Sequence, residues 1–192
     1  MHAVHSGKNV TNERYVPIHT IDEKLTEDMC SITPAVHALS YCYTNISLHR
    51  IGKRTVYNVI TKTAKDLQGL VHYEDRDEFP VSARRFVLLL HGKKAKCQAS
   101  LDGLRYHLAI TTDKPANQLL PTEDAFEQHV LRAQYQVQIW NQSHIPKPKM
   151  ASSVGNGWRL SESRELHPVY YTKPPPPGEV RYITHLYCSN KT

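Results

Sequence analysis

Apolar residues recurring at steps of three and four constrain this chain more than anything else in it. Between residues 122 and 141, Phe126, Val130, Ala133, Val137 and Trp140 share one side of a 3.6-residue repeat. Thr122 stands where an N-cap belongs, and Glu123 and Asp124 complement the positive end of the helix dipole. The spacing predicts one long helix, with His129, Arg132 and Gln136 on its flank facing water beside the packed stripe. The same logic predicts a helix over 55–67, with Val56, Val59, Ile60, Ala64 and Leu67 inside, Lys62 and Lys65 outside, and Gly69 ending it. Ser82 reads as the cap of a helix reaching Leu90, with Phe86, Val87 and Leu90 inward and Arg84 and Arg85 outward. Ser100 caps a shorter helix marked by Leu101, Leu104 and Leu108. A segment over 34–43 puts Pro34 in a first helical turn, followed by Val36 and Leu39 at helical spacing. Residues 22–30 make a weak helical turn, and 15–21 alternate enough for a short strand or extended lead-in.

Length and charge set the outer limits. The chain has 192 residues, enough for one ordinary domain, and its 24 Lys plus Arg against 18 Asp plus Glu leave a net charge of +6. Its longest apolar run, 86–90, is far below the roughly 20 residues that cross a bilayer. The first residues lack the charged-then-apolar order of a secretory signal. A membrane partner is not expected, and an intracellular setting is, with nucleus and cytoplasm undistinguished. Cys30, Cys42, Cys97 and Cys188 are too widely spaced for a Cys-x-x-Cys clip, so reduced thiols are expected. Cys30, His37 and Cys42 are conceivable zinc ligands, but structural zinc wants tighter pairs, and packed helix residues are the better reading.

Other chemistry finds little support. Cys97 follows Lys93, Lys94 and Lys96, yet no base partner can be named for a thiol nucleophile. There is no Gly-x-Ser-x-Gly elbow. The acidic tract 73–80 reads as a solvated loop stopped by Pro80. Beyond Trp140 the composition turns to linker chemistry, with Pro146, Pro148 and four prolines at 174–177 favouring a stiff extended rod. A weak alternation over 179–187 suggests a terminal edge strand.

One basic corner stands out. Gly52 precedes the predicted helix, and Arg50, Lys53, Arg54 and Thr55 gather at its start, with Lys62 two turns on. A helix N-terminus offers amides and partial positive charge to an anion, and glycine there permits close approach. Such a corner suits a phosphate of a nucleic-acid backbone without reading bases. Short Gly-Lys matches are common, so by itself the corner fits a plain surface helix better. The second glycine and the wrapping residues of a P-loop are missing.

The wider string changes that balance. His37-Ala38-Leu39-Ser40-Tyr41-Cys42-Tyr43-Thr44-Asn45, followed by Leu48-His49-Arg50-Ile51-Gly52-Lys53-Arg54-Thr55-Val56, resembles a stretch of flap-endonuclease-like (XPG/PIN-type) nucleases. The likeness is to uncharacterised, mobile-element-associated animal proteins of that kind. It runs on through Phe86, 100–106, 120–122 and His129 to Trp140, covers about residues 30–158, and is most specific over 37–56. The resemblance implies a grip on the duplex backbone at this turn, Arg50, Gly52, Lys53, Arg54 and Thr55, to which Lys62, Lys65 and the lysines of 93–96 would add a basic surround. It also implies a Mg²⁺ site, from which this sequence departs. Tyr41 and Tyr43 stand where the family has Gly and Asp, and Asn45 and Ile46 replace small hydroxyl residues. A phenol, neutral near pH 7, is no ligand for a hard cation. No Asp-x-Asp strand precedes residue 37.

The sequence therefore predicts a mostly α chain, an α/β remnant comprising the helical half of a PIN/flap-endonuclease-like domain, then a long helix and an irregular Pro-rich tail. Its divisions are a flexible lead-in over 1–29, a nuclease-like helical region over 30–141, and a Pro-rich linker and tail over 142–192. With the sheet missing, the Val56/Ile60 and Phe126/Trp140 faces are expected to lie exposed. The leading function is a catalytically silent module with weak, non-specific nucleic-acid affinity, no catalytic residue, no metal ligand and no cofactor. One alternative is an active Mg²⁺-dependent, structure-specific nuclease. Another is a protein-interaction fragment using Trp140 and the proline run.

Overall fold

The computed structural model describes residues 2–4, 14–41, 48, 51–95, 100–115 and 118–173. Within them the chain is mostly helical, in the order β1 (His2–Val4), β2 (Arg14–Val16), α1 (Ile18–Asp22), α2 (Glu27–Tyr41), α3 (Lys53–Thr63), a 3-10 segment (Ala64–Leu70) and α4 (Glu78–Leu90). A second 3-10 turn (Gly92–Ala95), α5 (Leu101–Thr111), α6 (Glu123–Asn141), β3 (Trp158–Leu160) and β4 (Leu166–Pro168) complete it. The strands form two separate antiparallel pairs, β1 with β2 (His2 opposite Val16) and β3 with β4 (Trp158 opposite Pro168).

α2 starts seven residues ahead of Pro34, which sits inside the helix and not in its first turn. The Thr26 hydroxyl accepts the Met29 amide at 3.3 Å, and Glu27 and Asp28 follow it, so the true start carries an ordinary cap. An interior proline removes one helical bond and costs roughly 3 kcal/mol. Here it is outweighed by burial: Met29, Ile32, Ala35, Val36, Ala38 and Leu39 form a face at most 4% exposed that packs on α6 and the first 3-10 segment.

The helix expected over 55–67 begins at Lys53, gives way to 3-10 geometry at Ala64 and kinks at Leu67 (φ −113°, ψ 15°). Gly69 does not end it, being buried where α4 crosses. A Cβ there would lie 2.2 Å from the Ser82 hydroxyl and 2.9 Å from Glu78 Cγ.

α4 also starts early. Ser82 lies in its interior; Asp77 holds the N-cap position without a side-chain bond, and just before it Asp75 Oδ1 accepts the Asp77 and Glu78 amides at 2.7 and 2.8 Å. Those amides, Glu78 foremost, hold the Asp75 carboxyl below its ordinary range. Pro80 falls in the first turn, where no amide donor is needed, so the proline opens this helix where the sequence suggested it closed a loop. The two later caps are as expected: Ser100 Oγ accepts the Gly103 amide at 3.0 Å, and Thr122 Oγ1 accepts Ala125 at 3.4 Å.

One core runs through the helices. Ile32, Leu39, Leu67, Phe79, Phe86, Leu101, Leu104 and Ala133 are fully buried, and Phe126 is 1% exposed. The apolar faces expected to lie open are closed, since Val56 and Ile60 are 6% exposed and Trp140 is half-buried. α3 achieves this by packing on α2, α4 and the 3-10 segment, without a central sheet among the described residues. At one end, Glu123 joins three helices. Its carboxylate accepts the Leu101 amide at 2.7 Å and pairs with Arg84 at 3.0 Å, while its own amide donates to Asp102 Oδ1. The first two prolines of the expected linker, Pro146 and Pro148, lie in irregular chain, and the β3–β4 hairpin follows. The rod at 174–177 and the strand proposed over 179–187 lie outside the described residues, as do Cys42, Cys97 and Cys188.

Candidate nucleic-acid interface

The basic corner is built on α3. Gly52 occupies the N-cap position in extended geometry (φ −86°, ψ 161°), and its carbonyl accepts the Thr55 and Val56 amides at 2.9 and 3.2 Å. No side chain caps this end. The conformation is open to any residue, and a Cβ on Gly52 would meet nothing within 4 Å. The glycine therefore leaves the helix end uncovered without being required by the backbone.

Because Val56 and Ile60 face the core, the opposite side of α3 must face water. Lys53, Arg54, Thr55, Tyr57, Asn58, Thr61, Lys62 and then Lys65 are all exposed. Arg54, Asn58 and Lys62 follow one another at four-residue steps, which sets the outer two cations about 12 Å apart along the axis. Lys53, Tyr57 and Thr61 form the parallel row. No acidic residue occurs from Lys53 to Lys65. Asp66 comes next and sits 3.5 Å from Arg85, both 56% exposed, a pair worth little in water. Among the described residues no carboxylate pairs with Arg54 or Lys62. Lys53, Arg54, Thr55 and Lys62 thus share an accessible surface with Gly52, while Arg50 lies outside the described residues.

The flank of α6 departs most from expectation. His129 and Arg132 are each 1% exposed, and Gln134 is 6% exposed, so these polar groups face the interior. His129 Nε2 lies 2.8 Å from the Leu39 carbonyl, an α2–α6 tie, and its Nδ1 is buried without a partner. Burial pushes its pKa from 6.5 down to about 4, the Arg132 charge acts in the same direction, and the Leu39 bond opposes both. Arg132 donates Nη1 to the Gly157 carbonyl at 3.2 Å and to the Val169 carbonyl, with its guanidinium carbon 6.0 Å from the centre of the Tyr170 ring. Burial draws this group down to about 10, still cationic at neutral pH. Gln134 Nε2 donates to the Tyr73 and Asp75 carbonyls and so holds the acidic loop. Asp124, 7% exposed, accepts the Thr172 amide and hydroxyl at 2.7 and 2.6 Å and the Lys173 amide at 3.1 Å. Burial pushes its carboxyl up, but the Thr172 and Lys173 donors more than reverse this and leave it below the ordinary value.

Other candidate groups fall apart spatially. Among the described residues no three His, Cys, Asp or Glu side chains come together as a metal-holding group, and Cys30 is a half-buried free thiol. Trp140, offered as a partner contact, stacks on His37 at 5.5 Å between ring centres. A cavity of about 300 Å³ between α4 and α6 is lined by Arg76, Arg84, Phe126 and Gln134. Both of its arginines are engaged, Arg76 with Asn156 at 2.7 Å and Arg84 with Glu123. No helix among the described residues is long and apolar enough to cross a membrane. No protein-family model matches the chain, nor does any curated protein or solved structure.

Proposed function

We propose that this chain is a catalytically silent, nuclease-derived module that holds the phosphate backbone of nucleic acid weakly and without base readout. The observation that carries the reading is the outer face of α3, where Lys53, Arg54, Lys62 and Lys65 stand exposed with no acid between them. Asn58 supplies a neutral donor on that face, and Tyr57, 49% exposed, supplies a further hydroxyl. Phosphate contacts of this kind fix position on a backbone and carry no sequence information. The excess of six positive charges favours encounter with a polyanion from any direction. Catalytic silence rests on Tyr41 and Tyr43, which occupy the positions where the resembled nucleases carry Gly and a metal-binding Asp.

Fluorescence anisotropy with a labelled 20-base-pair duplex tests the binding. With about four phosphate contacts, affinity falls roughly 100-fold between 50 and 200 mM salt. Lys53→Glu with Arg54→Glu weakens binding by at least about tenfold at 50 mM and lowers the salt slope by about 2. Unchanged affinity in that double variant would remove α3 from the interface. A parallel incubation with flapped, nicked and single-stranded DNA in Mg²⁺ or Mn²⁺ tests silence. Chelator-sensitive cleavage would establish the active-nuclease alternative instead.

A further inference from the structure

We propose that residues 154–173 form a hinged lid that opens from α6 as a unit while the helical core stays folded. Among the described residues, none beyond Trp140 belongs to the hydrophobic core. The lid leaves much of its apolar surface in water: Val154 is 45% exposed, Leu160 53% and Tyr171 45%, while Trp158 and Leu166 line a cavity against α6 without filling it. What holds it down is polar. Arg132 grips the carbonyls of Gly157 and Val169, Asp124 receives Thr172 and Lys173, and Arg76 reaches Asn156.

The chemistry of these pins makes opening easy. Arg132 and Asp124 are charged groups taken out of water, and each is compensated by lid donors and acceptors in place of an opposite charge held by the core. When the lid lifts, water replaces those partners and recovers the hydration that burial removed. A segment fastened by buried apolar contacts has no such return. Segments with few apolar contacts open sub-globally.

The geometry supplies a pivot and a space beneath. Gly155 and Gly157 adopt φ of +86° and +79°, in the left-handed region that favours glycine. Gly157 is buried against α6 so closely that a Cβ would lie 2.6 Å from Arg132 Cγ and 2.7 Å from the Gln128 carbonyl oxygen. Under the hairpin is a cavity of about 220 Å³ lined by Arg132, Tyr135, Gln136 and Ile139 of α6 and by Trp158 of β3. Lifting the lid uncovers that side of α6 together with its cation.

Hydrogen exchange on the intact chain tests this. The Thr172 and Lys173 amides both donate to Asp124 of α6, so both report closure, whereas the Val169–Gly157 bond lies inside the lid and moves with it. In the unaltered protein the Thr172 and Lys173 amides exchange at least about tenfold faster than Phe86 and Ala133, at rates insensitive to low urea. Gly157→Ala, which cannot take its seat, accelerates both by a further factor of about ten while Phe86, Ala133 and the helical circular dichroism keep their values. The proposal is overturned if Thr172 and Lys173 share the rate and urea dependence of Phe86. It is equally overturned if Gly157→Ala lowers core protection as much as lid protection, or unfolds the chain outright.

Discussion

Acid should weaken this fold through one histidine. His129 is buried on α6 with Nε2 against the Leu39 carbonyl, so the proton resides on Nε2 and the lone pair of Nδ1 is sealed inside. Charging the ring means holding a cation stripped of water in the core, with the Arg132 charge nearby as a lesser cost, which is why its pKa falls from 6.5 to about 4. Between those two values the unfolded chain binds a proton that the folded chain refuses. Stability therefore declines as pH drops through about 6.5 and levels off below about 4. The full gap amounts to about 3 kcal/mol, of which about 2 kcal/mol is lost between pH 7 and pH 5. Urea unfolding at pH 7, 6 and 5 measures it, provided the m-value stays constant. In His129→Phe the Leu39 carbonyl loses its partner, which subtracts about 1–3 kcal/mol at every pH. The other histidines cancel in the comparison, so the variant's pH dependence is shallower than the parent's by about 2 kcal/mol over that range. Parallel curves would refute the account of His129 as a buried neutral ring.

Three further outcomes follow from the packing. Glu123→Ala cuts the bonds to Arg84 and Leu101 at the meeting point of α4, α5 and α6. It should cost about 2 kcal/mol and lower the thermal midpoint by about 5 °C in a circular-dichroism melt. Phe86→Ala, at a fully buried position, should cost about 3–5 kcal/mol by urea unfolding, and a loss below 1 kcal/mol would contradict the single core. Arg85→Ala, which breaks only the exposed pair with Asp66, should stay within about 0.5 kcal/mol of the parent in the same measurement.

The helices were legible where packing and local chemistry agree. The stripe from Phe126 to Trp140 and the caps Thr122 and Ser100 depend on residues a few positions apart, and the structure keeps them. Helix starts were misplaced where a proline intervened. Pro34 and Pro80 read as boundaries, yet Thr26 with Glu27 and Asp28, and Asp75 before Glu78, were the better markers and were present in the sequence. The exposed cations of α3 could be placed because Val56 and Ile60 determine which side turns inward. The buried polar groups of α6 left no such trace. Arg132 finds its acceptors 25 and 37 residues away, Asp124 finds Thr172 48 residues away, and no local periodicity records partners so distant.

The bond between Leu39 and His129 spans 90 residues, and this bears on how the chain emerges from the ribosome. α2 is complete once Tyr41 has been made, but the helix that covers its apolar side ends at Asn141. At ordinary translation speeds those hundred residues take about 5–20 s. Throughout that interval Ile32, Val36 and Leu39 have no α6 to rest on, and a proline-interrupted helix has little tendency to persist alone. A nascent chain of this protein thus carries its sticky surface early and its own cover late, which makes the first third of the polypeptide the natural place for a chaperone to hold.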